Sequence, residues 1–396
     1  MPRTIKNVSP AASAPIPAPA ASGCCGLCRD VAPQLREGSN FDLGYTVMYS
    51  SYCIWNNKGG VGKTFLTYGI AIEYAKKHSD KNVVIFDLCP QANLSTMLLG
   101  GDGAGEENLA LLSNNERTIA NYIKQRYDRS RFGLIGREIG YFIKVAEYNK
   151  NLPGNIYLLP GDADLDLCAQ LIDYMASAPE KNAWGKSRQY VLELLSVFND
   201  EHKTKDNCFF IDTNPSFANY THLGILAANR LIIPCTADSF PMRGIYNIFR
   251  LLYGAKIQKK SPPILSDDDI FTTFNERAEH DAGYALPQIH SFVLNRSRTF
   301  DKKASKAYKA HVQEINNLAI TLSNEYPERF LELSGASERV HNLKDANTIS
   351  TVLNYHGIAP SSLEHKPYLV YEEKTQVNQS QINPYLDDLK RIIDSL

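Results

Sequence analysis

Lys58-Gly59-Gly60-Val61-Gly62-Lys63-Thr64 is the stretch of this chain best equipped for chemistry, with two cations, three glycines and a hydroxyl in one short run. A phosphate-cradling loop, G-x-x-x-x-G-K-[ST], would end here on Gly62, Lys63 and Thr64. Its first glycine position is Asn57, however, and an extra lysine, Lys58, sits near the front. Glycines at 59, 60 and 62 let the backbone approach a ligand without Cβ contacts. Between a strand and a helix, such a loop turns its N–H groups and a helix N-terminus onto one anion. Lys63 would then neutralise β- and γ-phosphates, and the Thr64 hydroxyl would hold Mg²⁺.

The flanking segments supply that strand and helix. Tyr49–Trp55 reads as a strand and Thr64–Lys77 as a helix. Asn82–Phe86 is a short apolar strand followed by Asp87. NIYLLPG (155–161), a helix over Lys186–Phe198, CFFID (208–212), RLIIPCT (230–236) and IHSFVLN (289–295) continue the alternation. The apolar runs are unbroken rather than alternating, as strands covered on both faces require. The expected fold is α/β, a doubly wound, mostly parallel sheet with helices on both faces. Residues 1–45, rich in Pro and Ala, read as a disordered extension, and 46–396 as the globular domain. Insertions fall near 106–151 and 254–288; the second, polar and long, is either an inserted helical piece or a mobile segment.

KGGVGKT resembles the deviant phosphate loop (deviant Walker A) of the ParA/MinD family of ATPases, whose signature is the lysine ahead of the glycine pair. The resemblance implies that Lys58 reaches across a homodimer interface to the phosphates held by a second subunit. A second cation beside a triphosphate strengthens charge-assisted bonds, and supplying it in trans makes pairing depend on ATP. IFDLCPQANLS (85–95) resembles the family's switch I segment, D-x-D-P-Q, and FFIDTNPS (209–216) its Walker B strand and switch II, I-I-D-T-P-P-S. By that likeness Asp212 and Thr64 belong to the Mg²⁺ shell and Asp87 contacts its waters. FVLNR (292–296) stands where the family reads the base, which makes Asn295 the adenine contact. The implied ATP-binding set is Lys58, Gly59, Gly60, Val61, Gly62, Lys63, Thr64, Phe65 and Asn295. GIAPSSLEHKPYLVY (357–371) resembles the late segment that closes over the base.

One departure bears on rate. The second carboxylate of D-x-D-P-Q, which orients the attacking water in the family, is Cys89 here. A thiol with a reference pKa near 8.5 is a poor partner for that water, and losing a positioned base typically costs about 10²–10⁴ in rate. The catalytic set would be Lys58, Lys63, Asp87 and Cys89, with hydrolysis slow unless another group orients the water.

ParA-like relatives bind DNA non-specifically as ATP dimers and are released by a ParB-like activator; MinD-like relatives dock on membrane through a C-terminal amphipathic helix. Here NPYLDDLKRIIDSL (383–396) has an apolar stripe but a slightly acidic polar face, which favours packing against the core over a membrane surface. RSRTFDKKASKAYKAH (296–311) sets Arg296, Arg298, Lys302, Lys303, Lys306 and Lys309 against Asp301 alone, and on a helix 302, 306 and 309 share a face. It is either a DNA phosphate stripe or a solvated basic helix; DNA-binding relatives favour the first. The overall charge of −1 means that nucleic-acid affinity must come from such a local patch. Cys53, Cys89, Cys168, Cys208 and Cys235 lie singly, which reads as reduced thiols of a cytoplasmic protein; the resemblance to DNA-binding relatives implies that it is nucleoid-associated. Cys24, Cys25 and Cys28 invite a metal reading but lack a second ligand pair of matching spacing. A rival from another class is a nucleotide-sensing interaction module, in defence or signalling, with little hydrolysis and no DNA role.

Overall fold

The computed structural model describes residues 49–130, 132–236, 241–255, 273–297, 302–332 and 339–396. The extension 1–45, with its three clustered cysteines, lies outside them. Strand β1 (Ser50–Ile54) enters the glycine loop and helix α1 (Lys63–Lys77) leaves it. Next come β2 (Asn82–Leu88), α2 (Asn93–Leu98), α3 (Ala104–Asn114), α4 (Ile119–Ser130), β3 (Ile143–Lys144) and β4 (Ile156–Leu159). Helices α5 (Leu165–Ala176), α6 (Ala183–Lys186) and α7 (Tyr190–Glu201) precede β5 (Asn207–Thr213), α8 (Asn219–Ala227), β6 (Arg230–Thr236) and α9 (Pro241–Tyr253). The chain continues through β7 (Gln288–Ser297), α10 (Lys302–Glu325), β8 (Val340–Lys344) and α11 (Thr348–His356). A hairpin of β9 (Pro367–Val370) and β10 (Glu373–Gln376) leads to α12 (Gln379–Asp394). All belong to one compact unit.

The main sheet runs β3-β4-β2-β5-β1-β6-β7-β8, parallel except for β3. Both of its faces are covered, which explains the unbroken apolar runs. Along β5, Phe209 and Ile211 join a core with α4, α5, α7, α8, α9 and α10, while Cys208 and Phe210 join another with α1, α2, α11 and α12. The expected doubly wound α/β sheet is therefore present. The C-terminal segment packs as a core helix: Ile382, Tyr385, Leu389, Ile392 and Ile393 are buried, and a Cβ on Gly69 of α1 would stand 3.0 Å from the Tyr385 hydroxyl. Among the described residues no helix is long and apolar enough to cross a membrane.

Three expectations need correction. The helix over Lys186–Phe198 is broken, because Ser187–Gln189 turn between α6 and α7. The turn buries the Arg188 guanidinium 4.4 Å over the Trp184 ring, where it donates 2.6 Å to Asn219 Oδ1. Strand β2 runs on to Leu88, so Asp87 stands inside the strand rather than after it. Strands β3, β8 and β10 had no apolar run to announce them, and β9 lies in the segment read as closing over the base. In the region near 254–288, residues 256–272 lie outside the description, and Glu276–Asp281 form a single π-helical stretch.

Candidate functional site

The glycine loop is shaped from three sides. Gly60 and Gly62 hold φ of 72° and 82°, the left-handed region in which a side chain is strained. A Cβ on Gly62 would also lie 2.0 Å from Asn295 Nδ2, which donates 3.0 Å to the Val61 carbonyl. Asn295 thus packs on the loop from the end of β7. At the front, buried Asn56 donates to the Pro234 carbonyl (2.7 Å) and accepts from Lys58 N (2.9 Å), tying the loop to β6.

The two lysines have different addresses. Lys63 is buried, and its ammonium donates to the carbonyls of Asn56 and Lys58, 3.1 Å each. Burial pushes it down to about 8, partly offset by Asp212; an arriving triphosphate would favour the charged form again. Lys58 is exposed, its Nζ 3.5 Å from Thr236 Oγ1. The Phe65 ring lies 5.9 Å from Tyr385 at the α1–α12 contact, so only its backbone is placed to serve the loop.

Below the loop stand two fully buried carboxylates, Asp87 and Asp212, direct neighbours across the parallel β2–β5 pair. Asp212 accepts from Thr64 Oγ1 (2.8 Å) and Thr67 Oγ1 (3.1 Å). Asp87 accepts from Ser95 N (2.9 Å), Ser95 Oγ (2.7 Å) and Cys89 N (3.2 Å). Burial pushes Asp87 up to about 6 and Asp212 to about 7, the latter also repelled by Asp87. A hydroxyl and two carboxylates are hard oxygen donors of the kind Mg²⁺ takes, with its other positions filled by phosphate and water. A divalent cation would also relieve the carboxylate repulsion, so the residues fit the ion. Among the described residues no three His, Cys, Asp or Glu side chains converge as a self-sufficient metal site.

Cys89 is half-buried beside this pair, and burial followed by Asp87 pushes its thiol up to about 12. Several supporting residues escape the motif. Ser95 Oγ accepts from Gly161 N at 2.9 Å, and a Cβ on Gly161 would stand 3.0 Å from Asp87 Cγ. Thr67, Asn56 and Asn214 belong to the same shell; Ser95 and Asn214 sat in quoted segments, but only three-dimensional contacts give them roles.

Other sequence candidates lie elsewhere. In residues 357–371, Ile358 O accepts from Tyr68 OH and Ser361 N donates to Glu73, which ties the start of this segment to α1. Arg296 is on β7, and Lys302, Lys303, Lys306 and Lys309 open α10. Their side chains, and all of Arg298, fall outside the described residues.

The AAA domain family AAA_31 matches residues 50–265. An uncharacterized protein of Methanocaldococcus jannaschii is 21% identical over 286 residues, spanning 70% of this chain and 97% of its own. Among solved structures, apo McdA of Cyanothece shares the fold with a TM-score of 0.51 at 16% identity, over 87% of this chain and 98% of that one. A plasmid partition protein of Borrelia burgdorferi bound to AMPPNP has a TM-score of 0.46 at 15% identity, over 88% and 100% of the two chains.

Proposed function

From the premise that the chain belongs to the ParA/MinD-type AAA domain family, we propose that it binds Mg·ATP, pairs face to face as a homodimer and hydrolyses ATP slowly. In the paired state it holds DNA non-specifically through 296–309 and positions DNA or another cargo, with a ParB-like partner stimulating turnover. The observation that carries this reading is the division between the two lysines. Lys63 is buried and bonded to the carbonyls of its own loop, whereas Lys58 is exposed, its Nζ 3.5 Å from Thr236 Oγ1. Lys63, the loop N–H groups and Thr64 bind the triphosphate in cis, while Asp87 and Asp212 hold the cation's shell. Mg²⁺, when bound, neutralises the β- and γ-oxygens. Lys58 adds the last charge-assisted bonds from the neighbour.

Sizing the protein with and without Mg·ATP tests this. Lys58→Ala is expected to bind ATP with near wild-type affinity yet stay monomeric; dimerisation that survives the change overturns the role in trans. Triple substitution of Lys302, Lys303 and Lys306 by Glu should abolish salt-sensitive DNA binding in the ATP state, and unchanged binding removes the DNA claim.

A second reading rests on Cys89. With a neutral thiol in the carboxylate position, the ATP dimer could act as a long-lived switch that recruits a partner without DNA. Tight ATP retention with no DNA affinity favours that reading. Salt-sensitive, ATP-dependent DNA binding favours the first, and single-turnover hydrolysis that does not speed up in Cys89→Asp overturns the idea that the thiol slows turnover.

A further inference from the structure

The register of β2 and β5 pairs Asp87 with Asp212 and Leu88 with Thr213. The residues just past the two strand ends, Cys89 and Asn214, therefore emerge beside each other. Both are half-buried, and Asn214 Nδ2 reaches to 3.8 Å from Cys89 Sγ. Asn214 Oδ1 accepts from Ser216 N (2.9 Å) and Ser216 Oγ (3.0 Å). The Ser216 hydroxyl has a second partner, Tyr220 OH, at 3.3 Å. The two positions that depart from the D-x-D-P-Q and D-T-P-P segments are thus in contact.

We propose that Asn214 orients the water that attacks ATP, in the role left empty by Cys89. This rests on the ATPase reading above. A carboxylate at 89 would bind the Asn214 amide in a short, charge-assisted bond and hold it. A thiol accepts only weakly, so residue 89 does not hold the amide, whose Oδ1 is positioned, among the described residues, by Ser216 alone. When the Ser216 hydroxyl rotates to Tyr220, Asn214 Oδ1 regains an open lone pair for one water proton. The water oxygen then bonds to the γ-phosphorus, and the bond from that phosphorus to the β–γ bridging oxygen breaks. ADP leaves with the electron pair, and the water's proton passes to a γ-phosphate oxygen, giving inorganic phosphate. In so loose a transition state the positioned residue need not be a strong base, so a neutral amide suffices.

The test is single-turnover hydrolysis of ATP by the full chain, with affinity for a fluorescent ATP analogue measured in parallel. Asn214→Ala should slow turnover by roughly 10²-fold with affinity little changed. Cys89→Asp should raise turnover at least about tenfold more in that variant than in wild type, because only there does it replace a missing acceptor at the adjoining strand end; a merely structural role for Asn214 gives the same factor in both backgrounds. Wild type that turns over, with Asn214→Ala matching it, overturns the role of Asn214 alone. An equal factor in both backgrounds does the same, including when the single variant is poorly folded. Wild type that binds ATP and never turns it over overturns the hydrolytic reading itself.

Discussion

Ser95 shows how much of a site can rest on a residue that no motif names. Its N–H and hydroxyl both bond Asp87 Oδ2, while its oxygen accepts from Gly161 N, 66 residues away in sequence. Ser95→Ala leaves a buried carboxylate oxygen short of a donor and a buried N–H without an acceptor, at a cost of about 1–3 kcal/mol. The urea midpoint should fall accordingly, and Mg·ATP should bind less tightly; an unchanged midpoint would mean that water replaces the hydroxyl without loss. Gly62→Ala should fail more completely, since it combines a left-handed φ with a 2.0 Å approach to Asn295, and no ATP binding by calorimetry is expected. The grouping of Lys63 and Thr64 beside Asp212 was legible because loop chemistry is contiguous in sequence. Ser95, Gly161 and Thr67 were not, because their partners arrive from other strands.

Helix α12 is the element whose sequence carried two meanings, since an apolar stripe suits a membrane surface or a core equally well. Its polar face favoured the core, and its packing on α1 bears that out. Leu389→Ala should destabilise the protein by about 2–5 kcal/mol through the cavity it opens. The Tyr385 hydroxyl is buried with no hydrogen-bond partner, so Tyr385→Phe should raise stability by about 1 kcal/mol. Chemical denaturation of both variants checks the pair of opposite signs, and a loss in Tyr385→Phe would reveal a bridging water. The central strands were readable from unbroken apolar runs, a pattern that two-sided burial imposes locally. The break between α6 and α7 was not readable, because it serves Arg188, whose partners Trp184 and Asn219 meet only in the folded chain. Strand β3, of two residues, has no pattern to detect.

Across the whole molecule, buried titratable groups pull its acid stability in opposite directions. His222 lies between the rings of Phe217 and Phe274 with neither ring nitrogen bonded, and burial followed by Arg188 lowers it to about 3. His290 bonds the Ser395 carbonyl and Ser291 Oγ, and burial lowers it to about 4. Unfolded histidine takes up its proton near pH 6.5, so both contribute stability that is present above that pH and lost as pH falls toward 4. Asp87 and Asp212 act oppositely. The folded chain keeps their protons up to about 6 and about 7, and the unfolded chain releases them near 3.8, as an ordinary aspartate does. Their contribution is full below that value and is lost as pH rises to 7. Urea unfolding at pH 7 and pH 4.5 separates the two sets. His222→Leu should gain about 2–3 kcal/mol on wild type as pH drops between those points, since about two pKa units of differential protonation are removed. Asp212→Asn should show the reverse, with an advantage over wild type at pH 7 that disappears at pH 4.5. On the proposed reading Mg·ATP binds with both carboxylates ionised, so the melting-temperature rise it confers should shrink below pH 6. A nucleotide-induced rise that stays constant from pH 7.5 to 5 would mean that neither carboxylate meets the cation's shell.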